Sequence, residues 1–147
     1  MVDPYGLAMV LCDAVHQDPA TGKFTILGTF SNFHTRTFPN GISFTLYCAV
    51  TDGSGPTEFR IQIVDASGEP VDGWDDTVYE HRIAILKSPV IPLKNRFEVF
   101  EFPLRVEDLL IERGGVYDCE LWANKKLLMT RRFTATSGED SRDVLGN

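Results

Sequence analysis

Three groups of residues in this chain are of types that do chemistry. Asp13, His16 and Asp18 fall together where an apolar run gives way to the polar stretch His16 to Lys23. Two carboxylates around an imidazole suit a hydrolytic metal site, in which a further carboxylate usually holds a ligating imidazole. Such a site needs at least three groups in fixed geometry, so a solvated hairpin loop is the competing reading. The second group is Asp65, Glu69, Asp72, Asp75 and Asp76, all in the segment DASGEPVDGWDD. Calcium takes about six to eight oxygen ligands and favours flexible acidic loops. The order of these acids does not follow the EF-hand spacing, and acidic loops also keep proteins in solution. The third group is aromatic. Trp74 sits inside the acidic loop, and Trp122 and Tyr47 fall at outward positions of their strands. Exposed Trp and Tyr are enriched at protein interfaces, which makes these three the candidate partner-binding residues. The alternative is that they pack beneath a covering loop.

Other chemistry lacks its residues. No G-x-S-x-G is present, and Ser54 lies in Gly53-Ser54-Gly55, which reads as a flexible turn. Cys12, Cys48 and Cys119 fall at inward strand positions, where a thiol behaves as a small hydrophobe. No Cys-x-x-Cys, phosphate loop or dinucleotide fingerprint occurs, so no cofactor is expected.

The elements that must position these residues are strands. Ile42 to Val50 puts Phe44, Leu46, Cys48 and Val50 on one face. After Thr51 to Pro56, the next run alternates most cleanly: Phe59, Ile61 and Ile63 inward, Arg60 and Gln62 outward. Val116 to Ala123 places Tyr117, Cys119 and Leu121 inward, with Asp118, Glu120 and Trp122 outward. These inward residues, Val50 apart, are the nine of the expected core. Leu7 to Val15 and Phe24 to Phe30 form earlier strands around an Asp-Pro and Thr-Gly turn, the second continuing from Phe33 to Phe38. Gly28 in mid-strand marks a bulge or a close backbone approach. A short strand is expected near Arg82 to Leu86, followed by an edge-like segment through Pro89 and Pro92. Phe97 to Val106 is apolar on both faces, its change of phase marking a bulge. Glu107 to Arg113 is the one stretch that reads as a helical turn. Asn124-Lys125 reads as a tight hairpin turn before the last strand, Lys126 to Ala135.

Length and composition set the frame. The 147 residues, 43% hydrophobic and 24% charged, suit one globular domain and exclude a disordered or collagen-like chain. The net charge of −7 has the wrong sign for a nucleic-acid binder, and no apolar run approaches the ~20 residues of a membrane span. The start, Met-Val-Asp-Pro, has no basic signal-peptide region, and the odd count of three cysteines argues for reduced thiols. A cytoplasmic location is therefore expected, with Cys48 and Cys119 unbridged.

Two resemblances add to this reading. Cys12-Asp13-x-Val15, then Gly22-Lys23-x-x-Ile26-Leu27-Gly28-x-Phe30, then Phe38-Pro39, resembles the opening of a family of small uncharacterised bacterial proteins known as a domain of unknown function. The likeness covers residues 8 to 65 well and the C-terminal half loosely. It implies a β-sandwich and supplies no activity. Gly115-Val116-Tyr117-Asp118-Cys119 is similar to the tyrosine corner of immunoglobulin-like sandwiches, where a Tyr precedes a Cys by two residues. The fourth run lacks the Trp that an antibody-type strand would carry there.

The expected architecture is all-β, an antiparallel immunoglobulin-like β-sandwich of seven to nine strands over residues 1–136, with a polar tail over 137–147. The expected function is that of a non-enzymatic binding or assembly module recognising a protein partner through Trp74, Trp122 and Tyr47. The alternatives are a ligand- or calcium-binding sandwich using the 65–76 loop, and an enzyme with a site near Asp13 and His16. No nucleic-acid or membrane partner is expected, and the sequence leaves the oligomeric state open. In the first reading the 65–76 loop projects from one end of the sandwich with Trp74 partly exposed.

Overall fold

Alternation is what the chain converts into a core. Phe44, Leu46, Cys48, Phe59, Ile61, Ile63, Tyr117, Cys119 and Leu121 are all buried, none more than 3% exposed. They join Met9, Leu11, Val106, Phe133 and others in one continuous cluster between two sheets. Fully burying each large apolar side chain contributes ~1.5–3 kcal/mol, so the shared inner face is the main stabilising element. The computed structural model describes residues 1–138. Most of the expected tail, residues 139–147, lies outside the described residues.

Nine strands run in chain order: β1 (Tyr5–Gln17), β2 (Phe24–Thr29), β3 (Asn32–Thr35), β4 (Asn40–Thr51), β5 (Gly55–Asp65), β6 (Arg82–Leu93), β7 (Val99–Ile111), β8 (Gly115–Ala123) and β9 (Lys126–Ser137). One sheet has the order β2-β1-β4-β7 and curls into a half-barrel; the other has the order β3-β9-β8-β5-β6. Among the described residues no helix is long and apolar enough to cross a membrane. The β8–β9 hairpin turns on Asn124 (φ 47°) and Lys125 (φ 74°). Two successive positive φ values match the right-handed twist of the flanking strands.

Four expectations are corrected. The second run does not continue into a longer strand. The chain crosses sheets after Thr29, and β3 pairs in parallel with β9, from Asn32↔Thr134 to Thr35↔Ser137. The other strand pairs are antiparallel, as expected. Glu107 to Ile111 is not a helical turn but the end of β7. Leu109 and Ile111 are buried while Leu110 is 52% exposed, a period of two. The bulge expected in Phe97 to Val106 falls later, at Asp108 (φ 51°), opposite the register shift between Ile42 and Phe44. The Ser43 hydroxyl accepts the Asp108 N–H at 3.0 Å and holds the extra residue in place. Residues 82–86 are the start of a longer edge strand, β6, that carries Pro89 and Pro92 to its end at Leu93. An edge tolerates these prolines because one side of it needs no ladder bond.

A fifth correction leads to the site. Arg60 and Gln62 do point away from the core, yet they are 7% and 0% exposed. Strand β5 is covered on both faces.

Candidate binding surface

The cover over β5 is the segment between β5 and β6, residues 66–81. It does not project from the end of the molecule as expected. It folds back as a strap over the outer face of the five-stranded sheet, where it supplies hydrogen-bond partners to buried polar groups of that face.

Two side chains of β5 hold it. Gln62 Nε2 donates to the Val71 carbonyl at 3.0 Å and to Glu120 Oε1 at 2.8 Å. Its Oε1 accepts a bond from Arg82 Nη1 at 3.2 Å. Arg60 Nη1 donates to the Trp74 carbonyl and to Asp76 Oδ1, both at 3.2 Å. The Arg60 guanidinium stacks 4.2 Å from the centre of the Trp74 ring, a cation–π contact. At the far end of the strap Arg82 donates to the carbonyls of Asp75 and Thr77 and lies over the Tyr79 ring.

The strap is also shaped from within. Asp72 Oδ1 accepts the Trp74 N–H at 2.9 Å, and Asp75 Oδ1 accepts the N–H and hydroxyl of Thr77 at 2.9 and 2.6 Å. These short-range bonds are the turn chemistry of Asp. The bonds from Thr77 and Tyr79 hold the Asp75 carboxyl down at about 2. Gly73 lies flat on the Trp122 indole, where any Cβ would overlap the ring. Trp122 Nε1 in turn donates to Glu120 Oε1 at 3.0 Å.

Trp74 is therefore half-buried. Trp122 is half-buried under the same strap. Tyr47 is half-buried on the other sheet, its hydroxyl donating to Glu101 and its ring edge-on to Phe24 at 5.9 Å. Burial and the Glu101 carboxylate push the Tyr47 hydroxyl up to about 12. The three aromatics thus form no single surface: two share a face and the third lies on the opposite one. Val78, on the same strap, is 94% exposed. Its valine gives no sequence signal for this, since exposure there depends on how the strap docks.

The acids of the loop are largely committed. Asp65 accepts from Arg113 Nη2 at 2.6 Å and from the N–H and hydroxyl of Ser67 at 2.9 and 2.7 Å. Burial alone would raise its carboxyl, but those bonds hold it at about 2. Asp76 bridges Arg60 and Lys87. Glu69 and Asp72 remain on the exposed rim. Among the described residues no three His, Cys, Asp or Glu side chains gather in a way that would hold a metal ion. Asp13, His16 and Asp18 do not converge. Asp13 and His16, three apart on β1, project from opposite faces. Asp18 is occupied by Thr21 and Ala20 within its own turn. The histidine that lines a recess with Asp13 is His34, from β3. No spacing in the sequence signals that placement.

The cysteines are buried and unbridged. Burial pushes the Cys48 thiol up to about 12 and raises Cys119 and Cys12 as well. At neutral pH all three are thiols, not nucleophilic thiolates.

Residues 7–136 match a protein-family model described as a family of unknown function, DUF6941. No curated protein matches. Among solved structures, the chain is similar to the Pseudomonas fluorescens alkylpurine DNA glycosylase AlkC bound to DNA containing an abasic site analog. The identity is 9% and the TM-score 0.51, over 88% of this chain and 30% of that one. It is also similar to a β-glucosidase from Listeria innocua in complex with isofagomine, at 8% identity and TM-score 0.44, over 90% of this chain and 16% of that one. The chain thus spans less than a third of either protein. The first likeness is one of fold alone.

Proposed function

The chain belongs to DUF6941, a family of unknown function, and we propose that it is a non-enzymatic binding module that recognises a protein partner through the strap carrying Trp74. The observation that carries this is the Trp74–Arg60 stack. Trp and Arg are the residue types that dominate interface energies, and they act best when fixed before binding. Here Arg60 is held by Asp76 and the Trp74 carbonyl, and the strap beneath is tied to Gln62. A partner that covers the exposed part of the indole and Val78 orders little that is not already ordered.

The finer architecture belongs to the same proposal: an immunoglobulin-like β-sandwich. Tyr117 Oη donates to the Arg113 carbonyl at 2.6 Å, four residues upstream, which is the bond of a tyrosine corner. Cys48 and Cys119 sit at inward positions of the two facing sheets. A reducing cytoplasm is the proposed compartment, supported by the odd number of thiols.

The test uses the chain as bait in native lysate, beside Trp74→Ala and Val78→Asp, with each variant's melting recorded. The proposal expects a protein retained by the parent chain and lost with either variant while both stay folded. A partner retained equally by all three baits places the interface elsewhere.

A further inference from the structure

We propose a second site, independent of the strap: the recess where β2 passes into β3 binds a small organic ligand bearing a protonated amine. The chain crosses here from one sheet to the other. The crossing is fixed at both ends, by the Phe30 N–H to the Leu11 carbonyl at 3.1 Å and the Thr134 N–H to the Ser31 carbonyl at 2.9 Å. Between the sheet edges it leaves a recess of about 240 Å³, lined by Asp13, Gly28, Phe30, Asn32, Phe33 and His34 among others.

Asp13 is the charge of the site. Among the described residues its carboxylate has neither an ion-pair nor a hydrogen-bond partner. The nearby Arg105 donates to the Asp13 carbonyl at 3.0 Å, and its Nε pairs with Glu107 instead. The carboxylate is seated by Gly28, which has φ 69° and no side chain. A Cβ at residue 28 would overlap Asp13 Oδ2. The glycine thus supplies both the backbone conformation and the space. Asp13, Gly28 and Phe30 come from two stretches of the N-terminal pattern and meet at this one place.

The remaining walls suit a cation. Phe30 is held edge-on against the core Phe44 with ring centres 5.7 Å apart, and Phe33 packs against the same core. Aromatic faces attract cations. Asn32 Oδ1 accepts the Thr134 hydroxyl at 2.7 Å, and His34 Nδ1 lies 3.4 Å from the Thr136 hydroxyl, so both side chains are oriented. No Lys or Arg lines the recess. One carboxylate, two aromatic residues and no lining Lys or Arg favour an ammonium ligand with an apolar body over a carboxylate or phosphate.

The experiment follows the backbone amides of Gly28, Thr29 and His34 by NMR during titration with phenethylammonium, 2-phenylethanol and 3-phenylpropionate. The expected result is saturable shifts at these amides with phenethylammonium, at least ~10-fold weaker binding of the alcohol, and none of the carboxylate. Asp13→Asn should weaken the ammonium by a similar factor; Asp13 is exposed, and the variant's melting is recorded beside the parent's. Absence of saturable shifts at Gly28 and His34, equal binding of the alcohol or the carboxylate, or full binding by a folded Asp13→Asn each overturns the proposal. If Asp13→Asn melts early, the comparison of the three ligands on the parent chain decides.

Discussion

Gln62→Leu should release the strap while leaving the two sheets intact. The wild-type amide is fully buried and makes three bonds, to Val71, Glu120 and Arg82. Two of these involve charged partners, worth ~1.5–3 kcal/mol each, and the neutral one ~1 kcal/mol, so the sum lies near 4–7 kcal/mol. The full sum is not paid out globally, because the strap has a cheaper escape. If residues 66–81 lift off, Glu120, Arg82 and the Val71 carbonyl regain water. The loss is then capped at the free energy that docks the strap, for which ~2–4 kcal/mol is a reasonable bound given the surviving Arg60 contacts. For a domain of this size ~1 kcal/mol moves Tm by roughly 3 °C, so a fall of about 6–12 °C is the ceiling. Hydrogen exchange separates the local event from the global one. The N–H groups of Gly68, Asp75 and Arg82, bonded within or beside the strap, should exchange about 100-fold faster, whereas the β5–β8 ladder keeps its protection. Both tryptophans of the chain lie at this face, so emission should shift to the red as Trp74 and Trp122 gain water. A fall in Tm with unchanged exchange at these three amides refutes the reasoning: Gln62 would then support the sheet and not the strap.

The other predictions concern single contacts. Asp65 has its folded pKa held at about 2, below the unfolded value, so its pairing stabilises the fold at neutral pH. That contribution is complete above the unfolded pKa of ~3.9 and lost as pH falls through about 2. Acid melts of Arg113→Leu should lose part of this slope, the Ser67 bonds keeping the rest, and parallel curves would contradict it. Tyr117→Phe removes the bond to the Arg113 carbonyl and should cost ~1–2 kcal/mol in urea unfolding, while an unchanged midpoint would deny the corner a structural role. Gly28→Ala should destabilise by ~2 kcal/mol or more, through positive φ and overlap with Asp13. Asp13→Ala should recover the overlap part, so a strictly additive double-mutant cycle would show that the two residues do not touch.

How much of this was legible before folding depends on the range of the interactions. Strands β4, β5 and β8 were readable because the period of two is a property of neighbouring residues, and one buried face enforces it. The Asn124-Lys125 turn was readable for the same reason, since its φ values are set within two residues. The segment Glu107 to Ile111 was not. Leu109-Leu110-Ile111 fits a helical turn as well as a strand, and only pairing with Gly41 and Ile42 across the sheet decides between them. The candidate site divides along the same line. Trp74 and the acidic loop stand out in composition, but the partners of their charges do not. Arg60 and Gln62 look like solvent-facing residues of an alternating strand until the strap lies over them. Asp65 finds Arg113 forty-eight positions away. Asp13 is expected beside His16, yet the histidine lining its recess is His34, because β3 pairs with β9 in the other sheet. A sequence shows which side of a strand a residue occupies. What covers that side is decided by contacts between segments far apart in the chain, whose energies exist only once the sheets have packed.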